Sequence, residues 1–136
     1  MRKLQCLKAA SNEFRAAPVV IAVSHQNQPE LLKRALISAV EQTLVHERKA
    51  QIAVLDDQSE ENWQEVTGAI LNHPAVTILT ARCGSPARSR NQVLDWAEKQ
   101  SHIRWVARLD ADDEFAASNS LEALYYQAES ENSIAA

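Results

Sequence analysis

The sequence predicts an α/β fold in which a mainly parallel sheet lies between two layers of helices, a three-layer α/β/α sandwich. Short apolar runs rich in β-branched residues alternate with stretches of helical periodicity, in the order β-α-β-α-β-α-β-α. Such alternation is typical of parallel sheets, because each return to the same edge of the sheet needs a crossover helix. The length of 136 residues fits a single domain with a sizeable core.

The composition argues against several functional classes. The formal net charge is -4 and the 14 Lys and Arg residues are scattered, so the chain has no basic patch for nucleic acid. Its two cysteines, Cys6 and Cys83, suggest neither a disulfide framework nor a cysteine metal site. No apolar stretch approaches the roughly 18 residues of a membrane span. We therefore expect no nucleic-acid partner, no transmembrane segment and a reducing, cytoplasmic setting.

The N-terminal residues are predicted to form an extension that precedes the domain. Leu4, Leu7 and Phe14 fall near one face of an amphipathic helix over residues 2–15, and Arg and Lys side chains supply positive charge. Packing of this helix on its own domain is one interpretation, and peripheral binding at the inner face of the membrane is another. The predicted division is residues 1–17 for the extension and 18–136 for the α/β domain.

The first two predicted core strands are residues 19–23 and 51–55. The first is an almost unbroken apolar run, which is typical of a strand buried on both faces. Pro29 suits the first turn of the helix between the two strands, which we expect to reach about Thr43. The second strand ends in an aspartate pair, and Ser59 is then a suitable N-cap for the next helix.

The second half of the chain repeats this alternation. A third strand is predicted over 76–79, and Ser85 then caps a helix over 86–99 that begins with proline. A fourth strand over 103–109 runs into an acidic cluster, and a last helix is predicted over 120–129.

Polar residues follow every predicted strand. In open α/β sheets, ligands bind beyond the carboxyl ends of the strands, particularly where the strand order reverses. We therefore expect one crevice to gather four polar segments that are far apart in the sequence. These segments are residues 24–28, 56–57, 82–90 and 110–114.

The acidic segment 110–114 places four carboxylates within five residues. Like charges this close repel each other, so a bound cation would stabilise them. Aspartates suit Mg²⁺ or Mn²⁺, which often complete their coordination with phosphate oxygens. In Asp110-Ala111-Asp112, two carboxylates can address different parts of one ligand, such as a metal and a ribose hydroxyl. The alternative interpretation is a solvated turn that opens the next helix.

Two arginines and a histidine are further candidate contacts. Arg88 and Arg90 lie two apart on a helix and diverge by about 200°, so only one of them can face the crevice and bind phosphate. The helix N-terminus near Ser85 favours the same anion. His25 either contacts a base or is a half-exposed loop residue. The other histidines lack zinc-site spacing, and Ser24 lacks the glycine elbow of a serine hydrolase.

In this order and at this spacing, four segments resemble family 2 glycosyltransferases, which have the Rossmann-like GT-A fold. Residues 18–32 look like the opening strand, loop and helix of the family, and VLDDQS (54–59) looks like its aspartate-pair turn. GSPARSRN (84–91) is similar to its arginine-asparagine segment, and ARLDADD (107–113) matches its metal motif. The resemblance covers about residues 18–115.

The resemblance implies that a nucleoside-diphosphate sugar, linked to UDP, binds across the strand ends for an inverting glycosyl transfer. It implies that the loop around His25 and Asn27 lies along the base and ribose. Asp57 would accept a hydrogen bond from the uracil-like edge, Arg90 would approach the nucleotide, and Asp110 would lie near the ribose or the metal.

The implied metal ligands are Asp112, which would bind Mn²⁺ or Mg²⁺ directly, and Asp110. A cation in this position stabilises the departing nucleoside diphosphate as a Lewis acid. Asp113 and Glu114 are expected to serve only the following turn.

Three positions depart from the family pattern: Gln58 and Val93 stand where glycine is usual, and Ser24 stands where proline is common. In the family, the acceptor site and the carboxylate that deprotonates the acceptor lie downstream of the metal motif. We therefore assign no catalytic residue, and Glu114 and Glu122 receive no role. We expect the chain to be the donor-binding portion of a longer enzyme, a shortened form or a degenerate relative.

A non-catalytic nucleotide-binding or signalling α/β module is the alternative from another class. A phospho-receiver domain also places an aspartate pair and a further aspartate at parallel strand ends. It needs the pair after its first strand and a lysine after a fifth, whereas here the pair follows the second strand and no such lysine is evident.

Overall fold

A five-stranded, mostly parallel sheet forms the centre of the fold. In the computed structural model of the protein, the backbone is described for residues 2–135 and the side chains for residues 4–131. The strands are β1 (Arg2–Lys8), β2 (Val19–His25), β3 (Ala50–Asp57), β4 (Val76–Arg82) and β5 (Trp105–Arg108). Their order across the sheet is β1-β4-β3-β2-β5, with β2 to β5 parallel and β1 antiparallel to β4.

Helices connect the strands and cover both faces of the sheet, so the predicted three-layer sandwich is confirmed. They are α1 (Asn12–Arg15), α2 (Pro29–Val40), α3 (Thr43–His46), α4 (Trp63–Thr67), a 3-10 helix (Ala69–Asn72), α5 (Pro86–Glu98) and α6 (Ser120–Ala135). No helix within residues 2–135 has the length and apolar character needed to cross a membrane.

Two apolar cores lie on opposite faces of the sheet, and the residues of β2 alternate between them. Val19, Ile21 and Val23 pack into the larger core together with α2, α3 and α6. Val20 and Ala22 pack into the smaller core with α5. Because successive side chains of a strand point to opposite faces, burial on both sides requires the continuous apolar run seen in the sequence.

The predicted N-terminal helix is wrong. Residues 2–8 form β1, and only the short α1 is helical within the predicted range 2–15. Pairing with β4 satisfies backbone groups that would otherwise remain open at the sheet edge, and Leu4 packs against the smaller core. This tertiary gain overrides the helical spacing of the apolar residues. The membrane-docking interpretation depended on that helix and loses its basis, while the division at residue 17 stays a prediction.

Lys8 anchors the end of β1 instead of contributing to a charged helix face. Its ammonium group donates hydrogen bonds to the carbonyl oxygens of Leu71 (3.1 Å), His73 (2.8 Å) and Val76 (2.8 Å). These three acceptors lie around the segment that leads into β4. Partial burial lowers the pKa of Lys8.

Other boundaries differ locally from those predicted. The helix expected over 29–43 stops at Val40, and a separate turn of helix, α3, follows. Ser59 does not cap α4, which begins at Trp63 with Asn62 in the N-cap position. The fourth predicted strand, β5, is shorter than the range 103–109.

Candidate functional site

The strand-end cavity, with a volume of about 310 Å³, lies beyond the carboxyl ends of the central strands. The chain order reverses at β2, because β3 and β4 follow on one side of it and β5 lies on the other. Ligand sites of open α/β sheets form at such a point. The cavity brings together all four predicted polar segments. It is lined by Ser24, His25, Gln26, Gln28, Asp57, Pro86, Ser89, Arg90, Asp110, Ala111 and Asp112.

Asp57 lies at the end of β3, where its buried carboxylate orders the turn before α5. One oxygen accepts a hydrogen bond from the backbone N–H of Cys83 (2.8 Å), and the other accepts one from Gly84 (3.0 Å). Each carboxylate oxygen has two acceptor sites. Asp57 therefore keeps acceptor capacity toward the cavity that it lines.

The first turn of α5 forms one wall of the cavity. Ser85 caps the helix as predicted, since its hydroxyl accepts a hydrogen bond from the Arg88 amide (3.2 Å). Arg88 is exposed, whereas Arg90 is half-buried and lines the cavity. Among the side chains described, no carboxylate forms an ion pair with Arg90. Its guanidinium is thus free of a direct carboxylate contact and, with the positive end of the helix, can interact with an anionic ligand.

Arg90 also borders a second cavity of about 310 Å³ on the α5 face of the sheet. This second cavity is more apolar, with Val93, Leu94 and Val106 in its lining, and it shares Ser24 with the first. Arg90 and Ser24 thus stand at the boundary between a polar and an apolar compartment.

Cys83 lies directly before this helix and is buried. Burial raises the pKa of its thiol, a hydrogen bond with Ser89 opposes the shift, and the charge of Asp57 adds to it. The thiol is therefore protonated at neutral pH and has no nucleophilic role here.

His25 is buried rather than half-exposed, and its ring is fixed from three directions. It packs against Trp63 with ring centroids 4.9 Å apart, and its Nδ1 accepts a hydrogen bond from the Gln28 amide (3.4 Å). Its Nε2 lies 3.0 Å from Oδ1 of Asp56 without hydrogen-bond geometry, so both buried atoms lack a hydrogen-bond partner within the described part of the chain. Packing against Trp63 and the contact with Gln28 therefore hold His25 in the loop that lines the cavity.

Asn27 is not among the residues that line the strand-end cavity. It joins the loop after β2 to the turn after β3: its N–H donates to the Ser59 hydroxyl (2.7 Å), and its side-chain oxygen accepts from the Glu60 amide (2.8 Å). Asn27 also has a positive φ of 54°, which asparagine tolerates better than most residues. The site predicted from sequence thus includes one residue that this structure uses to connect two loops.

The acidic segment after β5 forms a tight turn that also lines the cavity. The amide of Asp113 donates to the carbonyl of Asp110 (2.9 Å), and ligand atoms of Asp110, Asp112 and Asp113 all lie within 4.8 Å of one another. The sequence interpretation assigned Asp113 only to the following turn. The sequence feature that points to Asp113 is its position three residues after Asp110. A turn closed between residues i and i+3 brings the side chains of those two residues together.

The donor set of this turn fits a hard divalent cation. Mg²⁺ binds oxygens at about 2.1 Å, so ligands on opposite sides of such an ion are about 4 Å apart. Carboxylate oxygens within 4.8 Å of one another are close to this spacing, so small side-chain rotations would bring them onto a single ion. Asp110 is half-buried beside Arg108, whose Nε is 3.6 Å from Oδ1, while Asp112 and Asp113 are exposed to incoming ligands.

The two carboxylates beyond this turn make structural contacts. Glu114 accepts a hydrogen bond from Arg34 Nε (2.9 Å), and Glu122 accepts one from the Thr43 hydroxyl (3.1 Å). Neither residue lines the strand-end cavity. As in the sequence interpretation, no catalytic base is assigned to either.

Comparison with known proteins gives one family and several similar folds. The model of Glycosyl transferase family 2 matches residues 19–136. No curated protein sequence matches the chain.

Two solved structures illustrate the similarity of fold. Residues 1–349 of TarS from S. aureus, in complex with UDP, superpose with a TM-score of 0.66 at 20% identity, covering 79% of this chain and 31% of that one. Mannosyltransferase PcManGT from Pyrobaculum calidifontis, in complex with GDP-Man and Mn²⁺, gives a TM-score of 0.62 at 19% identity and covers 86% and 33%. The chain thus spans about a third of the length of these structures.

Proposed function

Because the chain belongs to Glycosyl transferase family 2, we propose that its strand-end cavity binds a nucleoside-diphosphate sugar and that the chain is the donor-binding portion of an inverting glycosyltransferase. The observation that carries this proposal is the charge of the cavity lining, which combines Arg90 with Asp110 and Asp112. A cationic side chain and a divalent cation close by would together balance the negative charge of a diphosphate.

Each wall has a separate part in donor binding. Asp57, with its remaining acceptor capacity, accepts an N–H from the base, and UDP is the proposed nucleotide. Arg90 and the N-terminus of α5 bind the diphosphate oxygens. The loop that carries His25 and Asn27 lies along the base and ribose, and the buried His25 ring fixes the shape of this loop by packing against Trp63.

Asp112 and Asp110 hold Mn²⁺ or Mg²⁺, and Asp113 is an additional candidate ligand. When bound there, the cation supplies Lewis-acid stabilisation of the charge on the leaving nucleoside diphosphate. The carboxylates keep this charge fixed relative to Arg90, so that positive charge is placed where negative charge develops. Binding of the donor without robust turnover is the expected behaviour of residues 1–136.

Calorimetry with UDP, in the presence and absence of Mn²⁺, tests this proposal. We expect binding that strengthens with Mn²⁺ and that loses its metal dependence in Asp112→Ala. Asp95→Ala is the matched control, because Asp95 is an exposed aspartate on α5 outside the cavity. Metal-independent binding by the unmodified protein, or equal effects of the two substitutions, would contradict the proposed site.

A further inference from the structure

The segment that follows the acidic turn has little regular backbone pairing of its own. Residues 114–119 are irregular, lying between the turn and α6. Their described hydrogen bonds are made largely with α2 and the start of α3, far away in sequence. The position of the turn therefore depends on what holds this segment.

Three side chains of or directly after α2 hold it: Arg34, Ser38 and Gln42. Their spacing of four residues places Arg34 and Ser38 on one helical face, and Gln42 continues that line beyond the last turn. Arg34 pairs with Glu114 at 2.9 Å, and the Ser38 hydroxyl accepts a hydrogen bond from the Phe115 amide at 3.2 Å.

Of these three side chains, Gln42 makes the contacts that depend most strongly on the position of the segment. Its side-chain Nε2 donates to the carbonyl of Ala117 (2.8 Å) and to that of Ser38 (3.3 Å), while its Oε1 accepts from the Leu121 amide (3.0 Å). Gln42 is only 1% exposed. A buried side-chain amide that loses its hydrogen-bond partners costs free energy. Gln42 therefore stabilises the one arrangement of residues 114–119 that keeps these partners in place.

We propose that Gln42, together with Ser38, is a positioning residue that holds the acidic turn in the geometry that binds a divalent cation. This inference rests on the proposed donor site, because it assigns the support of the same metal ligands. The helix α2 starts directly after residues 24–28, which line the cavity, so the same helix follows this loop and carries Ser38, one of the anchors of the acidic turn.

Gln42→Glu is the informative substitution. It preserves the shape of the side chain but replaces the donating Nε2 by an oxygen, which would face the Ala117 carbonyl oxygen. Gln51→Glu is the matched control: Gln51 is also buried and donates to the carbonyls of Arg15 (3.4 Å) and Ala17 (3.3 Å), away from the acidic turn. Both substitutions are expected to lower stability, and only the first should alter the turn.

The first measurement is Mn²⁺ affinity, obtained by titrating the folded protein and following free Mn²⁺ by electron paramagnetic resonance. We expect about tenfold weaker Mn²⁺ binding in Gln42→Glu, the size of effect typical for residues that orient metal ligands. Gln51→Glu should bind Mn²⁺ as the unmodified protein does. In the metal-free protein, the Leu121 amide should exchange faster in Gln42→Glu and not in Gln51→Glu.

A milder pair keeps the inference testable if Gln42→Glu does not fold. Ser38→Ala removes the acceptor of the Phe115 amide, and Thr77→Val removes a hydroxyl that accepts the Ala10 amide (2.9 Å) far from the turn. Weaker Mn²⁺ binding in Ser38→Ala alone supports the inference.

The outcomes separate the two proposals. If the unmodified protein binds Mn²⁺ and the α2 variants bind it equally well, or if the α2 variants and their controls weaken it equally, the positioning role is overturned while the proposed donor site stands. If the unmodified protein does not bind Mn²⁺, the metal part of the proposed function and this inference both fail.

Discussion

Replacement of Gln58 by glycine is expected to stabilise the protein by about 0.8 kcal/mol. Gln58 follows the aspartate pair with a φ of 54°, in the left-handed region that favours glycine. A residue with a Cβ is destabilised there by about 1.5 kcal/mol. Glycine relieves this strain but raises the conformational entropy of the unfolded chain, which offsets about 0.7 kcal/mol. Because Gln58 is exposed, its side chain contributes little packing that the substitution would remove.

The assay is thermal unfolding followed by circular dichroism. For a chain of this length, about 0.8 kcal/mol corresponds to a rise in Tm of about 3 °C. Gln58→Ala is the control, because alanine removes the side chain beyond Cβ but keeps the strained contact, and its Tm should change little. A Tm of Gln58→Gly no higher than that of Gln58→Ala would refute the assignment of strain to this backbone position.

Two further predictions concern the carboxylate at the end of β3 and a histidine near β1. Asp57→Asn should destabilise the protein by about 3 kcal/mol, because its amide nitrogen would face one of the buried N–H groups of Cys83 and Gly84, and should weaken UDP binding. Calorimetry and denaturant unfolding test this against Asp95→Asn, and equal stability of the two variants would contradict it. The pKa of His73 is lowered below its ordinary 6.5, mainly by burial of the ring and secondly by the charges of Lys8 and His46. The unfolded state therefore binds more protons, so this contribution to stability is present above about pH 6.5 and is lost as the pH falls through the lowered value. His73→Asn should flatten the dependence of unfolding free energy on pH below about 6.5, and an unchanged slope there would contradict this role.

Local sequence patterns correctly predicted two kinds of element: strands that are buried on both faces of the sheet, and helices that are capped by residues next to them in the sequence. The run at Val19–His25 became a central strand because only a continuous apolar sequence satisfies two cores. Ser85 capped α5 because a cap needs only residues within one turn of itself. Ser59 failed as a cap because a distant amide, that of Asn27, competes for its hydroxyl. The N-terminal strand was missed because its stability comes from pairing with β4, which local spacing does not report.

The same distinction applies to the candidate site. Local patterns were enough to place Asp57, Asp110 and Asp112 after strands and Arg90 near the start of a helix, and parallel strands bring their carboxyl ends to one edge of the sheet. Tertiary structure decided which side chains remain available to a ligand. His25 lines the cavity with a buried ring that packs against Trp63 beside Asp56, and the Asn27 side chain is hydrogen-bonded to the Glu60 amide of a neighbouring loop.

The acidic turn at residues 110–113 shows most directly what local sequence patterns cannot predict. Its aspartates and their spacing are local facts, readable from the sequence. Gln42 holds this turn in position. Its hydrogen-bond partners Ala117 and Leu121 are 75 and 79 residues away along the chain. Because hydrogen bonds act over about 3 Å, only the folded arrangement of α2 against this segment could identify that support.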